Sequence, residues 1–252
     1  MVQARSNLRL SPRRRVFAAW LAGVGVSFED ELARARDLDV SELADAVEEL
    51  GFECTRCGAC CKAAEGADGH EDHTATAFPD EVRDLQAATG REWRDVARPM
   101  PYGVEDGPDG PTGETFEWAL ETTGCGDCTF YTERDGTGAC TVHEDRPLIC
   151  RTYPFSVALD GTNQPMGAAV DRVGSVRAHE CEGLGRDIDR GDAEALAGAL
   201  KTRAVRELEE AIAVQENYDP TDADGVVVHD SEGAKRPDGT PIDGEDGRVS
   251  GE

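Results

Sequence analysis

The sequence predicts an α+β chain: a small cysteine-rich core of short strands and loops, flanked by helices and followed by a disordered acidic C-terminal tail. Three observations predict it. Apolar residues recur at helical spacing over 28–51 and again from Asp192 to Gln215. Between them lie short alternating stretches cut by Gly and Pro. Nine cysteines are packed into the same middle region, from Cys54 to Cys181. The chain divides into a basic extension over 1–27, a helical and cysteine-cluster domain over 28–216, and a tail over 217–252.

Charge narrows the function classes. The 252 residues carry 52 acids against 26 Lys and Arg, a formal net charge of −26. Lysines stand only at 62, 201 and 235. Such a surface suits a salty cytoplasm, because at molar salt the Debye length falls to about 3 Å and repulsion between acids is screened. It opposes binding of nucleic acid, whose phosphates it repels. The longest apolar run, Val16 to Val26, has eleven residues, short of the roughly 20 that a membrane span needs. These points set the expectation of a cytoplasmic protein with neither nucleic acid nor membrane as partner.

The extension over 1–27 carries five arginines and no acid before Glu29. A start site assigned too early explains it best. A twin-arginine export signal at Arg14-Arg15 and a basic surface arm are the alternatives. Over 28–51, Leu43, Ala46, Val47 and Leu50 share one helical face; Asp39 can cap that helix and Gly51 can end it. Residues 62–78 read as a polar loop. Pro79 to Thr89 reads as a helix, with Pro first, Asp80 and Glu81 in the first turn and Gly90 after it. Residues 99–113, rich in Pro and Gly, read as an irregular excursion. Phe116, Trp118 and Leu120 alternate with other residues, as in a half-buried strand. Further strand-like pieces fall at Thr129–Tyr131, Thr141–His143 and Phe155–Leu159, with a turn at Asp160-Gly161. Leu196, Leu200, Ala204, Leu208 and Ile212 step by four along a final helix. Beyond Tyr218 no aromatic residue follows, and the Asp/Gly/Pro-rich tail lacks the apolar surface that would offset its ordering entropy.

The cysteines carry the chemistry. They read Cys54-x2-Cys57-x2-Cys60-Cys61, then, after 63 residues, Cys125-x2-Cys128-x11-Cys140-x9-Cys150, and Cys181 after 30 more. An odd number excludes a complete internal disulfide set, and disulfide scaffolds are shorter chains. A C-x2-C turn aims two thiolates at one metal, and zinc takes four at about 2.3 Å. A cubane iron–sulfur cluster also takes four, and C-x2-C-x2-C matches the first three ligands of a ferredoxin-type loop, whose further ligand comes from elsewhere. In extended backbone the adjacent Cys60 and Cys61 point to opposite sides. They then serve two centres, or one of them is a structural or reactive thiol. Two centres need about eight ligands.

Phe52-Glu-Cys54-x2-Cys57-Gly58-x-Cys60-Cys61 resembles the opening motif of the cysteine-cluster family (YkgJ type), a zinc- or iron-chelating domain. Cys128-Thr-Phe130, the stretch from Cys140 through Arg146-Pro147, Cys150-Arg151 and Tyr153-Pro154-Phe155, and Cys181-Glu-Gly183-Leu-Gly185 resemble its later segments, with Glu182 where the family has Pro. The likeness spans roughly residues 50–186. It implies eight metal-site cysteines: Cys54, Cys57, Cys60, Cys61, Cys128, Cys140, Cys150 and Cys181. Cys125 is left as an extra thiol. The implied cofactor is an iron–sulfur cluster of the 4Fe-4S kind, or zinc. One branch of the family is linked to lysine N-methylation of flagellin, but this chain has no G-x-G-x-x-G or phosphate-loop motif, so that activity is not carried over and no catalytic residue is assigned.

Around the thiols, Arg146 and Arg151 either offset thiolate charge or pair with Glu144 and Asp145. His143 and His179 read as supporting or surface residues, His70 and His73 as parts of a solvated loop. His229 falls in the tail and takes no role.

Overall fold

The computed structural model describes residues 27–66, 69–159, 166–221 and 223–242. The expectations for 1–26, for the Asp160-Gly161 turn and for 243–252 lie outside these.

Two helices open the described chain. Ser27 accepts a bond from the Asp30 amide at the start of α1 (Phe28–Asp37). Asp39 caps α2 (Val40–Leu50) by accepting from the Ser41 and Glu42 amides, and Gly51 ends it with a positive φ of 67°. The polar stretch expected as loop folds into a small antiparallel hairpin, β1 (Ala64–Gly66) with β2 (Gly69–Glu71), and then β3 (Thr76–Ala77). α3 (Pro79–Thr89) has the expected bounds; Glu81 accepts from the Phe78 amide at 3.0 Å, and Gly90 closes the helix in the left-handed region.

The excursion expected over 99–113 is instead paired backbone. Strand β4 (Ala97–Pro99) precedes a hairpin of β5 (Val104–Gly107) with β6 (Gly110–Thr115). Its glycines are turn and close-approach residues: Gly113 has φ 146°, and a Cβ there would run into the backbone of Gly103. β7 (Trp118–Leu120) is buried at all three positions because it lies between β3 and β4. The expected alternation fails there because both faces are covered.

The cysteine half continues with hairpin β8 (Tyr131–Arg134) and β9 (Thr137–Cys140), the short helix α4 (Leu148–Thr152), and β10 (Phe155–Val157). Thr141–His143, expected as strand, follows β9 and leads into a 3-10 turn. A three-stranded antiparallel sheet joins β10, β12 (Val176–His179) and β11 (Ala169–Val173) in that order. α5 (Arg190–Asn217) is the long closing helix, capped by Asp189. Its stripe buries Ala193, Ala197, Leu200, Ala204 and Leu208 against α1, α2 and the β10–β12 sheet.

The tail expectation is corrected for its described part. β13 (Val226–Asp230) is buried at every position and pairs in parallel with β6 and antiparallel with β14 (Gly233–Lys235). Three consecutive valines provide the both-sided apolar strand that the acidic composition around them conceals. His229, assigned no role from sequence, is buried with Phe116 stacked at 5.6 Å and Tyr218 edge-on at 4.7 Å. The structure is α+β, with one apolar core under the helices and a second around Trp93, Trp118 and Phe130. Among the described residues no helix is long and apolar enough to cross a membrane.

Candidate metal centre

The cysteine motif leaves α2 through Gly51 and is held on two sides. On one, Phe52 bridges Leu184, the Glu53 amide donates to the Gly183 carbonyl at 3.1 Å, and Gly185 donates to Gly51. Gly183 lies so close to Glu53 that any Cβ would clash. This contact brings the Cys181 loop to Cys54, although 126 residues separate them in sequence. On the other side, the Gly138 amide donates to Arg56 at 2.7 Å and Cys128 donates to the Cys61 carbonyl at 2.8 Å.

Local backbone shapes the motif. Arg56 has φ 58° and Gly58 φ 79°, so the Cys54–Cys57 loop turns back twice through the left-handed region. Gly58 is required there twice over, since a Cβ would stand 2.6 Å from Tyr131 Cζ. The Tyr131 ring lies over this backbone, its hydroxyl donates to Glu133 at 2.7 Å, and Lys62 reaches the same carboxylate at 2.6 Å. One of only three lysines thus clamps the motif to β8.

Ala59–Cys61 form a 3-10 turn, and the Cys60 and Cys61 sulfurs stand 3.7 Å apart. The opposed side chains expected of extended backbone are therefore not found in this pair. What separates the two thiols is their surroundings. Cys61, Cys128, Cys140 and Cys150 all pack in the second core, with Phe130, Trp118, Val142 and Ile149. Cys128 is 5% exposed. The strongest thiol influences on Cys61 come from Cys60, Cys150 and Cys128. Cys54 and Cys60 are exposed, Cys57 and Cys181 part-buried. Cys181 is influenced by Cys57, Cys60 and Cys54. Thiols from five separate segments thus gather in one region, as a more buried set around Cys128 and a more exposed set around Cys54, with Cys60 and Cys61 in contact at the seam and Cys60 acting on Cys128, Cys140 and Cys150 as well as on Cys181. Cys125 stands apart on an exposed turn, its sulfur 3.1 Å from Thr123 Oγ1.

Charge at the seam is uneven. Hydrogen bonding with Cys61 lowers the Cys60 thiol to about 7, with further help from its own amide and Arg146 and against the effect of burial. The same contact, with burial, pushes Cys61 far up. Burial raises Cys128 to about 11 and drives Cys150 well above the usual thiol range. Arg146 opposes the rise at Cys140 and Cys150. Among the described residues neither Arg146 nor Arg151 pairs with Glu144 or Asp145; Arg146 donates instead to the His143 carbonyl at 2.9 Å. Arg146 is the guanidinium whose charge favours the thiolates of Cys60, Cys140 and Cys150.

The histidines fall outside both sets. His143 meets Glu144 at 3.1 Å on the surface, and His179 is buried, its Nε2 2.8 Å from Ser156 Oγ. His70 lies between Glu65 and Asp72 at 3.9 and 3.7 Å, and His73 is part-buried with an unpartnered Nε2.

The donor set fits a soft metal. It consists of thiols alone, beside a guanidinium that offsets thiolate charge, in a region stapled by glycines that no side chain could replace. Among the described residues no three His, Cys, Asp or Glu side chains already stand as a ready coordination shell. Sequence reasoning missed the Tyr131–Glu133–Lys62 clamp; its one available signal was a rare lysine directly after the motif.

A family model, CxxCxxCC, described as "Putative zinc- or iron-chelating domain", matches residues 53–182. No curated protein and no solved structure matches the chain.

Proposed function

We propose, from the premise that this chain belongs to the CxxCxxCC family of zinc- or iron-chelating domains, that its thiolates hold iron–sulfur chemistry in a redox or enzyme-accessory role. Metal binding is the family's property; the kind of centre is the proposal. The observation that carries it is the position of Cys181. The ferredoxin-type run Cys54-x2-Cys57-x2-Cys60 needs one further ligand from elsewhere in the chain, and Cys181 is the thiol that the Glu53–Gly183 contact brings to it. The remaining four, Cys61, Cys128, Cys140 and Cys150, pack in or against one apolar cluster, which supports reading them as a second four-thiolate site.

A cluster held there would supply one-electron chemistry. The chain's own residues bind and orient: Gly58 and Gly183 permit the close backbone approach, Tyr131 covers the loop, and Arg146 lowers the cost of gathering negative sulfur. A zinc-holding module without catalysis is the second reading, favoured by the Cys54-x2-Cys57-Gly58 turn with its left-handed glycine. The acidic charge supports a cytoplasmic, high-salt setting without nucleic-acid partners.

The test is anaerobic purification at high salt, then elemental analysis and an absorption spectrum on one sample. Iron with acid-labile sulfide and a broad visible band is the expected outcome. Zinc without a visible band would replace the redox reading with the zinc module. Protein free of both metals, with all thiols titrating as free, would sink both readings.

A further inference from the structure

We propose that the eight thiols make two centres of unequal permanence. Cys61, Cys128, Cys140 and Cys150 hold an ion that is part of the fold. Cys54, Cys57, Cys60 and Cys181 hold an exchangeable one, open to incoming thiols or chelators. The inference rests on the metal-binding reading above and concerns what each set does with its ion.

Of the inner four, Cys128 is buried in the second core, and Cys61, Cys140 and Cys150 are part-buried against it. Cys128 lies among Phe130 and Trp118, each 1% exposed, with Val142 and Val228 in the same cluster. Their backbone comes from four places fixed independently. Cys61 lies in the 3-10 turn bonded to Cys128, Cys140 ends β9, and the Cys128 carbonyl accepts from the Tyr131 amide at 2.9 Å. Cys150 lies in α4, whose Leu148 amide donates to Glu81 of α3 at 2.8 Å. α5 holds α4 from the other side, through Arg203 bonded to Thr152 at 3.1 Å. Parting these thiols means parting α3, α4, α5 and the β8–β9 hairpin, which is opening of the domain itself.

Of the outer four, Cys54, Cys57 and Cys181 stand on loops, and Cys60 shares the 3-10 turn of Cys61. Cys54 and Cys60 are exposed. Cys181 is tied to the Cys54 side mainly by backbone bonds of the 181–185 loop, and neither loop carries a large buried side chain. Swinging that loop outward disturbs only the rim of the helical core, where Phe52 and Leu184 are partly buried. A bound soft ion changes ligands when an incoming donor approaches it, and four-coordinate thiolate sites expand to admit one. Cys54 and Cys60 are the exposed thiols among the eight, so the outer set offers the wider approach. The vicinal pair places one thiol in each set at 3.7 Å, so the permanent centre positions one ligand of the exchangeable one.

The experiment uses the metal-loaded full chain, with EDTA as competitor and iodoacetamide as label, followed over time by peptide mass mapping, metal analysis and tryptophan fluorescence. Cys125, exposed and outside both sets, should label before any EDTA is added. Cys54, Cys57, Cys60 and Cys181 should then label together, with loss of about half the metal. The inner four should label at least about tenfold more slowly, together with a fluorescence change from Trp93 and Trp118, since their exposure requires opening of the core. In Cys54→Ser the fast phase should vanish while the slow phase keeps its rate. Labelling of all eight in one phase, or of Cys61 with Cys54 and Cys57, would overturn the two-centre inference and leave metal binding standing. Labelling of all nine before EDTA, with no metal in the sample, would overturn both.

Discussion

At the scale of single residues, this protein places its scarce groups with economy. Each of its three lysines is tied to structure. Lys62 clamps the cysteine loop, Lys201 donates to the Leu38 carbonyl between α5 and α1, and Lys235 is buried against Asp230 at 2.8 Å. Asp230 also accepts from the Trp118 indole at 2.8 Å, so the β13–β14 turn is anchored in the second core. His73 is the counterexample, a part-buried ring with an unpartnered Nε2. Burial and, after it, the Arg98 charge depress it to about 4 from its ordinary value near 6.5. A depressed histidine is neutral in the fold and protonated in the unfolded chain between those values. Its contribution to stability is therefore intact above pH 6.5 and is lost as pH falls toward 4. Urea denaturation from about pH 7.5 to 4 should show wild type losing stability in that window. His73→Gln, which cannot ionise, should give a flatter profile there; an equal slope for both would remove His73 as the cause.

Among the elements, α5 connects the two halves. Its apolar stripe carries α1 and α2, while Arg203, 1% exposed, faces α4. That guanidinium bonds Glu207 at 2.7 Å, Thr152 Oγ1 at 3.1 Å and the Phe155 carbonyl at 3.5 Å. Removing this side chain takes a donor from the Thr152 hydroxyl and the Phe155 carbonyl and leaves a gap in a buried position, so Arg203→Ala should destabilise by about 2 kcal/mol or more. Chemical denaturation measures this, and a cost below about 1 kcal/mol would mean that water replaces the guanidinium freely. Because α4 carries Cys150, the same variant should also speed labelling of the inner thiols. Gly58 and Gly183 act at this scale too: they bring the motif, Tyr131 and the Cys181 loop into backbone contact, which no local propensity could do.

For the whole molecule, net charge makes stability depend on salt. A net charge of −26 on a chain of this length repels itself at low salt. Ion pairs such as Arg190 with Glu48 and Arg83 with Glu232 are partly exposed, so salt screens them while it screens repulsion among acids that outnumber Lys and Arg by 52 to 26. The melting temperature should therefore climb steeply between about 0.1 and 2 M KCl, beyond the effect of an equal concentration of uncharged osmolyte. A flat or falling curve would show that attractive pairs outweigh repulsion and would remove the high-salt reading.

The sequence by itself determined the helices with caps and stripes, because Asp39, Pro79, Gly90 and the four-step run ending at Ile212 act within a few residues of themselves. It pointed to the class of chemistry as well: cysteines in a motif-dense order, in the region that the zinc- or iron-chelating family match covers. It misread 99–113 and the tail, where glycines and acids suggested irregular chain. β6 and β13 become strands by pairing with each other across more than a hundred residues, a contact invisible to local pattern. Only the tertiary structure decided how burial differs among the cysteines. Cys60 and Cys61 are adjacent in sequence, yet Cys60 is exposed while Cys61 is part-buried against the cluster that holds Phe130 and Trp118. Burial belongs to the assembled surface, and the reactivity of a thiol follows its burial and its neighbours rather than its place in a motif.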